Sequence, residues 1–131
     1  MPRFARQPKS PIRAEVDAPA SSTLEERNLR KMGTFSGFEK IIRRDEPLAM
    51  HTWFQLGGAA ELFAEPRSQE ELIGLIARCA QEDVPVRLLG GGSNILVRDE
   101  GVPGMVIRLS SPAFNSIHAS GRELVAGSGA P

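Results

Sequence analysis

The sequence has one cysteine, Cys79, among 131 residues. No intramolecular disulfide can form, and no cysteine-based zinc site can be built within one chain. A lone thiol is compatible with a reducing, cytoplasmic setting. There is no net charge at neutral pH: 16 basic residues balance 16 acidic ones. Bulk electrostatics therefore names no partner, and the basic face usual in nucleic-acid binders is missing. No apolar run approaches the roughly 20 residues that a membrane-spanning helix needs. Internal repeats are absent, which excludes solenoids and propellers. What remains is an ordinary soluble composition, 40% hydrophobic and 24% charged, with length for one domain.

The charge is unevenly spread. Up to Lys31 there are seven Lys/Arg against four Asp/Glu; the rest carries nine against twelve. A mildly basic tail precedes a mildly acidic domain. Pro2, Pro8, Pro11 and Pro19 interrupt any helix in the tail, and its apolar residues are sparse. Residues 1–33 are thus expected to be a disordered, basic, proline-rich extension. Arg3, Arg6, Lys9 and Arg13 hint at organelle targeting, but the prolines spoil the amphipathic helix that most such peptides use.

The structured part starts near residue 34. Phe38, Ile41 and Ile42 fall at helical spacing, which predicts a short helix ended by Pro47. A strand is expected over 61–65, closed by Pro66. Ser68-Gln69-Glu70-Glu71 has capping-box form, with Glu71 reaching back. Leu72, Leu75, Ile76 and Cys79 then predict one apolar helix stripe, broadened by Ile73 and Ala80. That helix should stop near Asp83, because Pro85 disfavours helix at Val84. Val86 to Leu89 forms the next strand. Strand, helix and strand in this length predict a βαβ unit with a parallel pair and right-handed crossover. Gly101 to Gly104 reads as a turn and Met105 to Leu109 as a strand. Ala113 to His118 and Glu123 to Ala126 read as a hairpin around 119–122. The fold class is α/β.

The centre of this pattern is Gly90-Gly91-Gly92-Ser93-Asn94, set between Val86–Leu89 and Ile95-Leu96-Val97. Those flanks should bury the loop ends, which argues against a flexible linker. Glycine lets backbone approach a ligand closely, and successive N–H groups in such a turn can hold an anion, usually a phosphate. No Lys-Ser or Lys-Thr follows at P-loop spacing, and Ile95 stands where the Rossmann fingerprint needs glycine. The residues alone give an anion-binding loop without a named ligand. Gly127-Ser128-Gly129-Ala130 repeats the device at the end of a second strand.

Seven other positions carry groups capable of chemistry. His51 reads as an ordinary polar residue at a strand entry and His118 as part of the hairpin. Cys79 lies on the helix stripe and should pack, not react. Trp53 is expected in the core. Thr52 has no role that spacing can assign. Asp99 and Glu100 precede a turn and are expected to be solvated.

Leu89-Gly90-Gly91-Gly92-Ser93-Asn94-Ile95-Leu96 resembles the pyrophosphate loop of the UDP-N-acetylenolpyruvoylglucosamine reductase family. Three further stretches resemble that family in the same order: His51-Thr52-Trp53 through Gly57-Gly58-Ala59-Ala60, Pro66 and Ser68–Leu72 through Val84-Pro85-Val86, and Gly127–Ala130. The resemblance implies the first lobe of a two-lobed vanillyl-alcohol-oxidase-type FAD-binding domain over residues 34–131, truncated before the substrate domain. It implies FAD as cofactor, held by Gly90, Gly91, Gly92, Ser93 and Asn94, with Gly127, Ser128, Gly129 and Ala130 on the flavin side. It also implies NADPH as electron donor, a UDP-sugar substrate, a cytoplasmic setting and a place in peptidoglycan synthesis. The family's catalytic residues lie downstream, so the chain should hold none, and no metal is implied. Another FAD-dependent oxidase of the same fold, or a non-catalytic flavin-binding fragment, is the alternative.

Overall fold

The computed structural model describes residues 33–131; the expected extension, apart from Gly33, lies outside the described residues. Four strands form one sheet in the order β1-β2-β4-β3: β1 Ile42–Pro47, β2 Ala59–Ala64, β3 Val86–Leu89 and β4 Val102–Arg108. β1 runs antiparallel to β2, while β2 and β3 both run parallel to β4. β5 Ile117–Ser120 and β6 Glu123–Ala126 make a separate antiparallel hairpin. The α/β class is as expected.

One helix, α1 Gln69–Gln81, links β2 to β3. Ser68 Oγ accepts from the Glu71 N–H at 3.2 Å, but the Glu71 carboxylate reaches to the Arg67 N–H at 2.7 Å, one residue further back than a capping box requires. The stripe is narrower than its spacing suggests: Leu75 and Cys79 are buried and Leu72 packs beside them, whereas Ile73, Ile76 and Ala80 are exposed. A helix against a flat sheet buries only its innermost row. That row meets Leu62, Ala64, Met105 and Ile107 on one sheet face. The opposite face carries Ala60, Phe63, Val106 and Leu89, covered by Leu48 and Val97.

Three topological expectations change. The helix expected before Pro47 is strand β1, at the sheet edge. Its half-buried positions are Ile42, Arg44 and Glu46, so no apolar alternation marks it; charged residues and proline suit an edge strand. β2 and β3 are not neighbours, because β4 inserts between them. Val102 to Gly104 belong to β4, not to a turn. The register shifts between Ala60 and Leu62, and there Glu61 Oε2 accepts from the Gly104 N–H at 2.8 Å. In the hairpin, Pro112–Phe114 form a 3-10 turn, so β5 starts at Ile117.

Candidate functional site

β3 and β4 are parallel neighbours, and Leu89 is in register with Arg108. Both chains leave the sheet at that level. From Leu89 the chain enters Gly90-Gly91; from Arg108 it passes through Leu109 to the turn at Phe114. Ligands collect at such carboxyl ends in open α/β sheets. Here they frame a cavity of about 330 Å³, lined by Gly90, Gly91 and Arg108 on one side and Ser128, Gly129 and Ala130 on the other. The structure thus brings the two glycine turns together. Gly92, Ser93, Asn94 and Gly127 do not line this cavity.

The glycines divide into two kinds. A Cβ on Gly90 or Gly91 would meet nothing within 4 Å, so open space lies before these backbones. Gly92 has φ +71° and a Cβ there would stand 2.1 Å from the His51 carbonyl oxygen. Its carbonyl accepts from the Trp53 N–H at 3.0 Å. Gly92 is a backbone crossing that fastens the loop to residues 51–53. Gly127 and Gly129 are crossings too, with a Cβ meeting Phe114 O at 2.0 Å and Leu109 O at 2.1 Å. The Gly129 N–H donates to Phe114 O at 2.9 Å. Phe114, buried in the core, thereby anchors the turn that presents Ser128 to the cavity. Ser93 and Asn94 are exposed.

The flanks of the loop are less buried than their composition suggests. Leu89 and Val97 are buried and Ile95 half-buried, but Leu88 and Leu96 are 63% and 74% exposed. Trp53, expected in the core, is 78% exposed, beside Phe54 and Leu56, which are also exposed. The crossing at Gly92 holds this segment on the outside of the loop.

Thr52 is buried, and its Oγ1 is, among the described residues, a buried side-chain oxygen without a hydrogen-bond partner. It lies in the segment clamped to Gly92. Asp99 and Glu100 are exposed, as expected, and His118 lies in β5, exposed. Cys79 is buried in the core, and burial pushes its thiol pKa up, which makes it a packing group.

Spacing gave no sign of a charged cluster around His51. The ring stacks on Phe63 at 4.4 Å between centroids. Its Nδ1 is 3.1 Å from Arg108 Nη1 and its Nε2 is 2.8 Å from Glu46 Oε1. Arginine has no acceptor, so Nδ1 accepts and Nε2 carries the proton to Glu46. Arg43 pairs with Glu46 at 2.8 Å and with Glu65, and lies over Phe63. These residues come from β1, β2, β4 and the turn after Pro47, so no local motif announces them.

Among the described residues no group of His, Cys, Asp and Glu could hold a metal, and no helix is long and apolar enough to cross a membrane. A mixed, mostly parallel α/β unit thus brings two glycine turns to one cavity at the carboxyl ends of β3 and β4. Residues 60–131, more than half the chain, match the family described as FAD binding domain, and the chain belongs to that family. The UDP-N-acetylenolpyruvoylglucosamine reductase of Treponema pallidum is 45% identical over 97 residues, covering 70% of this chain and 27% of that protein. Its counterpart in Shouchella clausii is 47% identical over 92 residues, 70% of this chain and 29% of that one. The counterpart in Paramagnetospirillum magneticum is 48% identical over 86 residues, 66% and 27%. The chain therefore spans under a third of the length of these relatives. A solved structure of alkyldihydroxyacetonephosphate synthase aligns over 82% of this chain and 22% of that one, at 24% identity and a TM-score of 0.46, too loose a likeness to bear on function.

Proposed function

We propose that residues 34–131 form the FAD-holding portion of an NADPH-dependent reductase that converts UDP-N-acetylenolpyruvoylglucosamine to UDP-N-acetylmuramate in the cytoplasm. The observation that carries this is the open Gly90–Gly91 turn facing Ser128–Ala130 across one cavity, in a chain of the FAD-binding family whose relatives bear that reductase's name. The residues present fit the cofactor. A diphosphate needs many donors at close range, and side-chain-free backbone at Gly90 and Gly91 offers them without steric cost. Ser128 adds a hydroxyl across the cavity, and Ser93 and Asn94 add polar groups at the loop's exposed end. Bound FAD would supply the hydride-carrying group.

In this reading the chain's own residues bind and orient, and none acts on substrate. Gly92 keeps the loop rigid by its crossing with His51 and Thr52. Gly127 and Gly129 set the opposing turn against Phe114 and Leu109. The test is titration of the purified chain with FAD, followed by flavin fluorescence. Saturable but weak binding, one lobe of two being present, that is lost when Gly90 and Gly91 are both replaced by Val supports the reading; no binding by the unaltered chain defeats it. NADPH oxidation with the enolpyruvyl substrate should be absent from this chain alone, and measurable turnover would show that it holds catalytic groups.

A further inference from the structure

Among the described residues, Arg108 is the one charged side chain lining the cavity between the glycine turns. Inside the protein its charge is met, among those residues, by one long ion pair, with Glu65 at 3.9 Å. Two carboxylates lie nearby, Glu46 and Glu65, and Arg43 engages both. Glu65 Oε1 also accepts from Ser110 Oγ at 2.9 Å, and stands 3.9 Å from Arg108 Nη1. Glu46 Oε1 accepts from His51 Nε2. The one hydrogen bond that the Arg108 guanidinium makes among the described residues goes to an uncharged acceptor, His51 Nδ1. A guanidinium has five N–H donors. Four are therefore left on a side chain that is 32% exposed. A fork of donors with positive charge is suited to phosphate oxygens.

We propose that Arg108 is the cation that meets the diphosphate of the bound dinucleotide at this cavity, with His51 as its positioning residue. The proposal rests on the FAD reading above and adds a residue to it. Backbone N–H groups supply hydrogen bonds but no full charge, and a diphosphate brings about two negative charges into a cavity otherwise lined by neutral side chains. His51 is held on both sides, stacked on Phe63 and hydrogen-bonded to Glu46. Its Nδ1 lone pair fixes one edge of the guanidinium and leaves the rest for the ligand. A carboxylate in that place would hold Arg108 more tightly, and would repel the incoming phosphate.

The experiment compares FAD affinity of the chain and its variants at low and high NaCl, with thermal melts as a check on folding. Arg108→Gln should weaken FAD about 10- to 100-fold, the usual range for hydrogen bonds to charged groups, and should flatten the salt dependence. Arg108→Lys keeps the charge without the fork and should fall between. His51→Leu should weaken FAD several-fold in the unaltered background and have no further effect in the Arg108→Gln background, since positioning acts only through Arg108. Unchanged FAD affinity and salt dependence in both Arg108 variants overturn the proposal while FAD binding itself stands. Additive losses from His51→Leu and Arg108→Gln overturn the positioning role. No FAD binding by the unaltered chain overturns the FAD reading, and this role with it.

Discussion

Replacing each of three consecutive glycines by alanine should give opposite results within one loop. Gly92 has φ +71°, where a Cβ costs roughly 1–2 kcal/mol in backbone strain alone. The added atom would also stand 2.1 Å from His51 O and 2.9 Å from Thr52 Cα, both backbone atoms that no rotamer change can move aside. Shifting either strand of the crossing strains the Trp53 N–H to Gly92 O hydrogen bond, worth about 1 kcal/mol. Gly92→Ala should therefore destabilise by about 2–4 kcal/mol. For a domain of this size that lowers the melting temperature by roughly 10–25 °C. Gly90 and Gly91 lack positive φ and have open space where a Cβ would go. Alanine there reduces the entropy of the unfolded chain, so the ligand-free protein should keep its stability or gain about 0.4–1 kcal/mol. The same methyl would occupy the approach to the backbone N–H groups, so FAD affinity should fall about tenfold or more. Circular-dichroism melts without ligand, paired with FAD titrations, read both effects. A Gly92→Ala protein melting within about 2 °C of the unaltered one refutes the crossing. So does Gly91→Ala destabilised as much as Gly92→Ala.

Other outcomes follow from single contacts. Ser68→Ala removes the α1 N-cap and should cost about 1 kcal/mol in a denaturant melt. The same change should raise the Glu70 pKa only part-way, because its own backbone N–H lowers it most and the Ser68 hydroxyl second; NMR titration reads the shift. Glu39 is held below its ordinary value of 4.5 by its own N–H and that of Gly37. Its contribution to stability is thus present above the unfolded pKa and lost as pH falls through the folded one; an NMR midpoint at or above 4.5 contradicts this. Thr52→Val deletes a buried hydroxyl without a partner and should raise ligand-free stability by about 1 kcal/mol, measured by melting temperature. Cys79 should react with a thiol reagent only as fast as the protein opens, so labelling in native buffer should be slow and accelerate with denaturant.

Local chemistry made several elements legible in the sequence. Ser68 and the Leu72–Leu75–Cys79 row announce α1, because capping and a 3.6-residue period act within a few residues. Val86–Leu89 announces β3, and two glycine runs after strands announce backbone that must approach something closely. β1 was not legible, since an edge strand with half-buried Arg44 and Glu46 shows no apolar alternation. Trp53 read as core because aromatic rings favour burial, yet the Gly92 crossing leaves it outside.

The sequence by itself determined where glycine stands, which strands feed the glycine turns, and that no disulfide braces them. Those are properties of residue type and order. Tertiary structure decided which glycines are open and which are crossings, since that depends on what lies opposite: nothing for Gly90 and Gly91, His51 O for Gly92. It also decided that β4 lies between β2 and β3, bringing Arg108 level with Leu89 beside the cavity. The contact between His51 and Arg108 spans 57 positions of chain, a distance over which no periodicity in the sequence carries information.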